Sequence, residues 1–179
     1  MNIRILVFFV LVSFFSCGNK ETSDNKTKVI DAVATIEKAQ GPITILDYDG
    51  LEPLLKKKDD KIHIINFWAT WCKPCVDELP YFEKVGKDFK DKNVEVTLVS
   101  LDFPKQIANQ LIPFIKNNKL QSQVVVLDDP NQNKWINAID PSWTGSIPAT
   151  IIYNKNDRAF YEQSFDEETL LKELEKFIN

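Results

Sequence analysis

Two cysteines separated by two residues, set directly behind an apolar run, constrain this 179-residue chain more than any other feature. Ile62-His63-Ile64-Ile65-Asn66-Phe67-Trp68 is nearly all apolar, as in a strand buried on both faces. Ala69 and Thr70 lead from it into Trp71-Cys72-Lys73-Pro74-Cys75. Pro74 suits a first helical turn, where its missing N–H has no partner to lose. Cys72 therefore falls where a strand gives way to a helix. Free backbone N–H groups at a helix N-terminus favour a thiolate there, and Lys73 adds a positive charge. Cys75 lies one turn on, close enough to close a small disulfide with Cys72. A redox pair is the reading that uses all of these features. A structural disulfide is the plain alternative, but it leaves the helix-start position and the flanking tryptophans without a reason. A metal site needs more ligands than this pair, and the sequence offers only His63 and acids.

The chain around this segment alternates strand and helix. Ile43–Leu46, Val94–Val99, Val124–Leu127, Ala149–Tyr153 and Ala159–Tyr161 read as further strands. Leu51–Lys58, Lys73–Phe89 (interrupted by Pro80), Lys105–Asn117 (kinked at Pro113), Asn131–Ile139 and Glu167–Ile178 read as helices. Such alternation predicts an α/β sandwich around a mixed sheet. The short turn at 154–157 makes the last two strands antiparallel.

Cysteine arithmetic draws in the N-terminus. The chain has three cysteines, so Cys17 is left over when Cys72 and Cys75 pair. Residues 1–16 hold one positive charge, Arg4, and an apolar run that ends at Ser16-Cys17. The run is short of the ~20 apolar residues of a membrane span and fits a signal-peptide core. It resembles a bacterial lipoprotein leader, with residues 1–17 directing export and Cys17 carrying lipid. Phe14 departs from the leucine usual three residues before that cysteine. An ordinary secretory signal or an uncleaved anchor are the alternatives, and all three place the remainder outside the cytoplasm. Residues 18–40 read as a flexible tether, because Gly18–Lys28 lacks large apolar side chains. Residues 41–179 form the domain. A net charge of −4 argues against nucleic acid as a partner.

The segment from Ile62 to Pro80 resembles the active-site segment of thioredoxin-fold proteins. Phe67-Trp68-Ala69-x-Trp71-Cys72-x-x-Cys75 with Glu78-Leu79-Pro80 is most similar to the membrane-anchored TlpA/ResA-like thiol–disulfide oxidoreductases, a group that includes reductases serving cytochrome c maturation. Ile147-Pro148-Ala149-Thr150 is similar to the cis-proline loop of that family. The resemblance covers about residues 43–179. It implies a thioredoxin-like fold, a central mixed β-sheet flanked by helices on both faces. It implies Cys72 as attacking thiolate, Cys75 as resolving cysteine, Pro148 as the cis-proline, and Trp71, Ile147 and Pro148 as substrate-binding residues. Thioredoxins proper carry a buried aspartate where this chain has Asn66, so Glu78 becomes the candidate proton acceptor for Cys75. A carboxylate that merely stabilises the helix start is the alternative for Glu78, and groove shaping or packing are the alternatives for Trp143. The partners implied are protein disulfide substrates and a membrane or periplasmic electron donor. The protein is expected to be a monomer in the periplasm of a Gram-negative bacterium, anchored by lipid, with no organic cofactor and no metal. Two other readings are a peroxidase of the same superfamily, whose Pro-x-x-x-Thr-x-x-Cys context Cys72 lacks, and a non-enzymatic binding lipoprotein.

Overall fold

A six-stranded sheet runs through the computed structural model, which describes residues 43–178. Its order is β1 (Thr44–Leu46), β4 (Gln123–Leu127), β3 (Val94–Ser100), β2 (Ile62–Trp68), β5 (Ala149–Tyr153) and β6 (Arg158–Tyr161). The first four of these pair in parallel, while β5 is antiparallel to β2 and β6 to β5. The sheet is therefore mixed, and the turn closed by the Asn154 N–H on the Asp157 carbonyl (2.9 Å) makes the expected antiparallel hairpin.

β2 sits between β3 and β5, and all seven of its residues are buried, as its apolar run requires. Its alternation divides the core in two. Ile64 and Trp68 face a layer built by α2 (Lys73–Asp88), α4 (Ile112–Asn118) and α6 (Glu167–Glu175), through Leu79, Phe82, Ile115 and Leu170. Ile65 and Phe67 face α1 (Tyr48–Leu51) and α5 (Gln132–Ile139), through Leu51, Trp135 and Ile139. Each such side chain stabilises the fold by roughly 1.5–3 kcal/mol on burial. Helices thus cover both faces of a thioredoxin-like α/β sheet.

Four helix expectations change. The helix expected over 51–58 begins earlier, because the Asp47 carboxylate accepts from the Gly50 N–H at 2.9 Å and caps α1. It then tightens to a 3₁₀ turn, Glu52–Leu55, around Pro53. α2 continues through Pro80 without interruption. The helix expected over 105–117 is α3 (Pro104–Gln106), a π-helical turn (Ile107–Leu111) and α4. Pro113 cannot donate to the ladder and its ring must clear the preceding carbonyl, so the helix widens just ahead of it. α6 ends at Glu175, short of Ile178, although Phe177 remains buried.

The leader expected over 1–17, the tether expected over 18–40 and Cys17 lie outside the described residues. Among the described residues, no helix is long and apolar enough to cross a membrane.

Candidate active site

Parallel strands end on the same edge of the sheet, and the segment leaving β2 there carries the cysteines. Cys72 is the N-cap of α2, and its Sγ accepts from the Cys75 N–H at 3.3 Å. This is the arrangement that lets a helix N-terminus favour negative charge on sulfur. Pro74 occupies the first turn, as expected. Cys72 and Cys75 form a disulfide, with S–S 1.99 Å and Cα–Cα 5.3 Å. Both are buried, Cys72 at 6% exposure and Cys75 at 0%.

The loop before β5 meets the disulfide from the other side. Gly145 takes φ +94, a conformation closed to most L side chains, just before this loop turns into β5. The Ile147–Pro148 peptide bond is cis, and the Ile147 carbonyl oxygen lies 3.8 Å from Cys72 Sγ. Trp143 is a packing residue: it is buried against Phe67, Trp135 and Phe160, and its indole N–H donates to the Ser146 carbonyl at 2.8 Å. It braces the cis-proline loop from behind. The two tryptophans that flank this turn part company: Trp68, at the end of β2, is fully buried, and Trp71, beyond the strand, is 51% exposed.

Glu78 is not a helix-start carboxylate. It stands in the second turn of α2, is 1% exposed, and points into the core. The Asn66 side-chain amide donates to its Oε1 at 2.9 Å, and the Phe165 N–H donates to its Oε2 at 2.7 Å. Burial pushes its carboxyl up to about 7, and these two donors oppose that rise without cancelling it. Cys75 and Glu78 are three residues apart on one helix and share its buried face. Asn66 also donates to Thr150 Oγ1 at 3.1 Å, while its own Oδ1 is buried without a partner among the described residues. Lys73 forms a forked pair with Asp77 at 2.8 and 2.9 Å, with both side chains exposed. Its charge is thereby matched, not free for the thiolate as the sequence alone suggested. His63 is a satisfied strand histidine, bonded to Asp59 at 2.8 Å and stacked on Tyr153.

Sequence reasoning missed Asp102. It is 2% exposed and accepts from the Thr70 N–H, the Thr70 hydroxyl and the Ser100 hydroxyl. A buried carboxylate thus fixes the loop that delivers Trp71 and Cys72 to the helix. Asp102 is 32 positions beyond Thr70, and only the parallel pairing of β2 with β3 brings them together. Phe103, 60% exposed and stacked on Trp71 at 6.3 Å, was missed for the same reason. Among the described residues, no three His, Cys, Asp or Glu side chains are grouped so as to hold a metal ion.

A parallel-centred sheet with a disulfide at the start of the helix after β2, opposed by a cis-proline loop, defines a thioredoxin-fold protein of the Cys-x-x-Cys type. More specifically, the chain belongs to the AhpC/TSA family, whose model matches residues 24–158. It is 33% identical over 109 residues to the thiol-disulfide oxidoreductase ResA of Oceanobacillus iheyensis, covering 60% of this chain and 55% of that protein. It is 27% identical over 134 residues to ResA of Bacillus cereus, covering 75% and 71%. The chain therefore spans little more than half the length of the first of these relatives. Among solved structures, the thioredoxin domain of a thiol-disulfide oxidoreductase from Bacteroides vulgatus matches with a TM-score of 0.56 at 23% identity, covering 76% of this chain and 93% of that one. A thiol:disulfide interchange protein from Chlorobium tepidum matches at 0.57 and 17% identity, covering 75% and 91%. At these identities the structural likeness speaks for the fold alone.

Proposed function

We propose that the protein is an extracytoplasmic thiol–disulfide oxidoreductase that reduces disulfides in protein substrates through Cys72 and Cys75. The observation that carries this reading is the Cys72–Cys75 disulfide at the N-terminus of α2, with the Ile147 carbonyl 3.8 Å from Cys72 Sγ. In the reduced protein the Cys72 thiolate attacks a client disulfide, forming a mixed disulfide. Cys75 then attacks Cys72 Sγ, which releases the client thiol and closes the Cys72–Cys75 bond. Ile147 offers its backbone to the client strand beside Pro148, and Trp71 contributes an aromatic wall. An electron donor at the membrane or in the periplasm returns the pair to the dithiol. The likeness to ResA proteins supports this chemistry.

What surrounds Cys72 supports the reductive direction. Known dithiols of this kind span about 150 mV, from thioredoxin near −270 mV to the oxidant DsbA near −120 mV. An oxidant needs a strongly stabilised thiolate. Here Lys73 is paired with Asp77, so the helix N-terminus is the main stabiliser left. Equilibrating the purified protein against dithiothreitol and glutathione buffers is expected to give a potential nearer the thioredoxin end. A value near the DsbA end would make it an oxidase or isomerase, with the cysteine roles unchanged.

The location outside the cytoplasm rests on the leader, whose apolar run ends at Ser16-Cys17. Lipid on Cys17 would hold the domain at the membrane surface, which in a Gram-negative cell faces the periplasm. Cys17→Ser is expected to move the protein from the membrane fraction to the soluble fraction of the envelope. Retention of an uncleaved, membrane-bound Cys17→Ser protein would show that the leader is itself the anchor.

A further inference from the structure

A groove of about 370 Å3 opens beside the disulfide and shares Ile147 with it. Leu127, Trp135 and Ile136 form its apolar wall, and Trp71 and Phe103 stand on its rim. Among the described residues, the exposed large hydrophobics are these two aromatics and Ile45 on the edge strand β1. Large apolar side chains left in water next to a reactive group mark a surface that something covers. Trp71 and Phe103 lie nearly parallel, 14° apart, and together form one exposed aromatic cluster.

The charge on this groove has one sign. Among the described residues, Asp102, Asp128 and Asp129 line it, and no lysine, arginine or histidine does. Asp102 is buried and committed to Thr70 and Ser100. Asp129 accepts from the Asn131 and Tyr48 N–H groups, which hold its carboxyl below the usual carboxylate range and so keep it charged. Lys134 also acts on Asp129, but it is shared with Asp49 at 4.0 Å. Asp128 is exposed and has no ion-pair partner among the described residues.

We infer that this groove selects the client: it takes an extended cysteine-bearing segment that lays an aromatic side chain on Trp71 and Phe103 and turns a lysine or arginine toward Asp128 and Asp129. The inference rests on the oxidoreductase reading and names the substrate class for it. Apolar contact alone would accept many segments. The acidic rim favours basic ones and repels acidic ones, which is how charge contributes specificity at a docking surface.

The test uses the reduced protein and synthetic peptides of equal length, each with one cysteine held in a disulfide with thionitrobenzoate. Attack of the Cys72 thiolate on the peptide sulfur releases the coloured thionitrobenzoate thiolate with the bonding electron pair. Cys75 then displaces the peptide thiolate, which takes up a proton, and the protein is left as the Cys72–Cys75 disulfide. A peptide with phenylalanine and lysine near its cysteine is expected to react about tenfold faster than its alanine and glutamate counterpart, with charge supplying up to about fivefold. Raising the salt should remove the charge part. In a Phe103→Ser, Asp128→Asn protein, the ratio between peptides should fall to about two. Both sites are exposed, so the substitutions leave the core intact. Equal rates for the two peptides with the unaltered protein, or an unchanged ratio in the variant, would overturn the proposal. Bis(hydroxyethyl) disulfide separates the two levels. If it is reduced and the peptides are not distinguished, only the groove assignment fails. If neither it nor the peptides react, the oxidoreductase reading fails and takes the groove with it.

Discussion

Cys72→Ser is expected to abolish reduction of insulin disulfides, lowering the rate by at least about 10³-fold, as loss of a nucleophile does in other covalent catalysts. Cys75→Ser should be equally inactive in turnover but should accumulate mixed disulfides with client proteins, which Cys72→Ser should not. The asymmetry comes from position. Cys75 is fully enclosed beneath the first turn of α2, so a protein disulfide cannot reach it. Cys72 caps the helix, keeps a small exposed surface and faces the Ile147 carbonyl, where a client strand can lie. Once the mixed disulfide forms, Cys75 is one turn away from Cys72 and needs no diffusion to attack it, a large entropic advantage. The same argument predicts that iodoacetamide modifies Cys72 first in the reduced protein. Equal trapping by the two serine variants, or equal alkylation of the two thiols, would remove the assignment of roles. Insulin reduction at the unaltered protein's rate by either variant would remove the Cys72/Cys75 mechanism altogether.

Much of what positions these cysteines is written locally. The period-free apolar run of β2 specifies a central strand, and Pro74 two residues after Cys72 marks the helix start, so the disulfide's place in the fold is legible from the single segment Ile62–Cys75. The hairpin at 154–157 is legible for the same reason, since a short turn between two β-rich runs leaves one way to pair them. Where the sequence misleads, a proline or a distant partner is involved. Pro80 and Pro113 lack the same N–H, yet α2 runs on through the first while a π-helical turn precedes the second. The missing N–H is common to both, so it does not by itself distinguish them. Asp102 and Phe165 are silent in the sequence: their value lies in contacts with Thr70 and Glu78 that strand order and helix docking create. Glu78 is the middle case. Its spacing from Cys75 was readable, whereas its burial, which gives it its chemistry, needed the opposing Phe165 and Asn66.

That burial is expected to give Glu78 a measurable signature in stability and in rate. In the unfolded chain its carboxyl ionises near 4.5, and in the fold it is pushed up to about 7. Between those values the folded protein keeps a proton that the unfolded chain has released. The contribution is therefore fully present below pH 4.5 and is lost as pH rises through 7, by about 3 kcal/mol in all. The protonated state also has a place to donate. Asn66 Oδ1 is buried and unpartnered among the described residues, and rotating that amide would let it accept from the carboxyl O–H. Glu78→Gln exploits the same acceptor, so the variant should fold, and its unfolding free energy should lack this part of the pH dependence. For the reaction, Cys75 must lose its proton before it can release the client. A carboxylate on the same buried helix face that charges near pH 7 can take that proton. Loss of such a base costs about 100-fold in the step it serves. With pre-formed mixed disulfide, client release by the unaltered protein is expected to quicken between pH 6 and 8 as Glu78 ionises. Glu78→Gln should be slow and nearly flat over that range, while the initial attack by Cys72 is little changed. Release from Glu78→Gln at the unaltered rate and with the same pH profile would leave Glu78 as a buried structural carboxyl and assign the proton transfer to water.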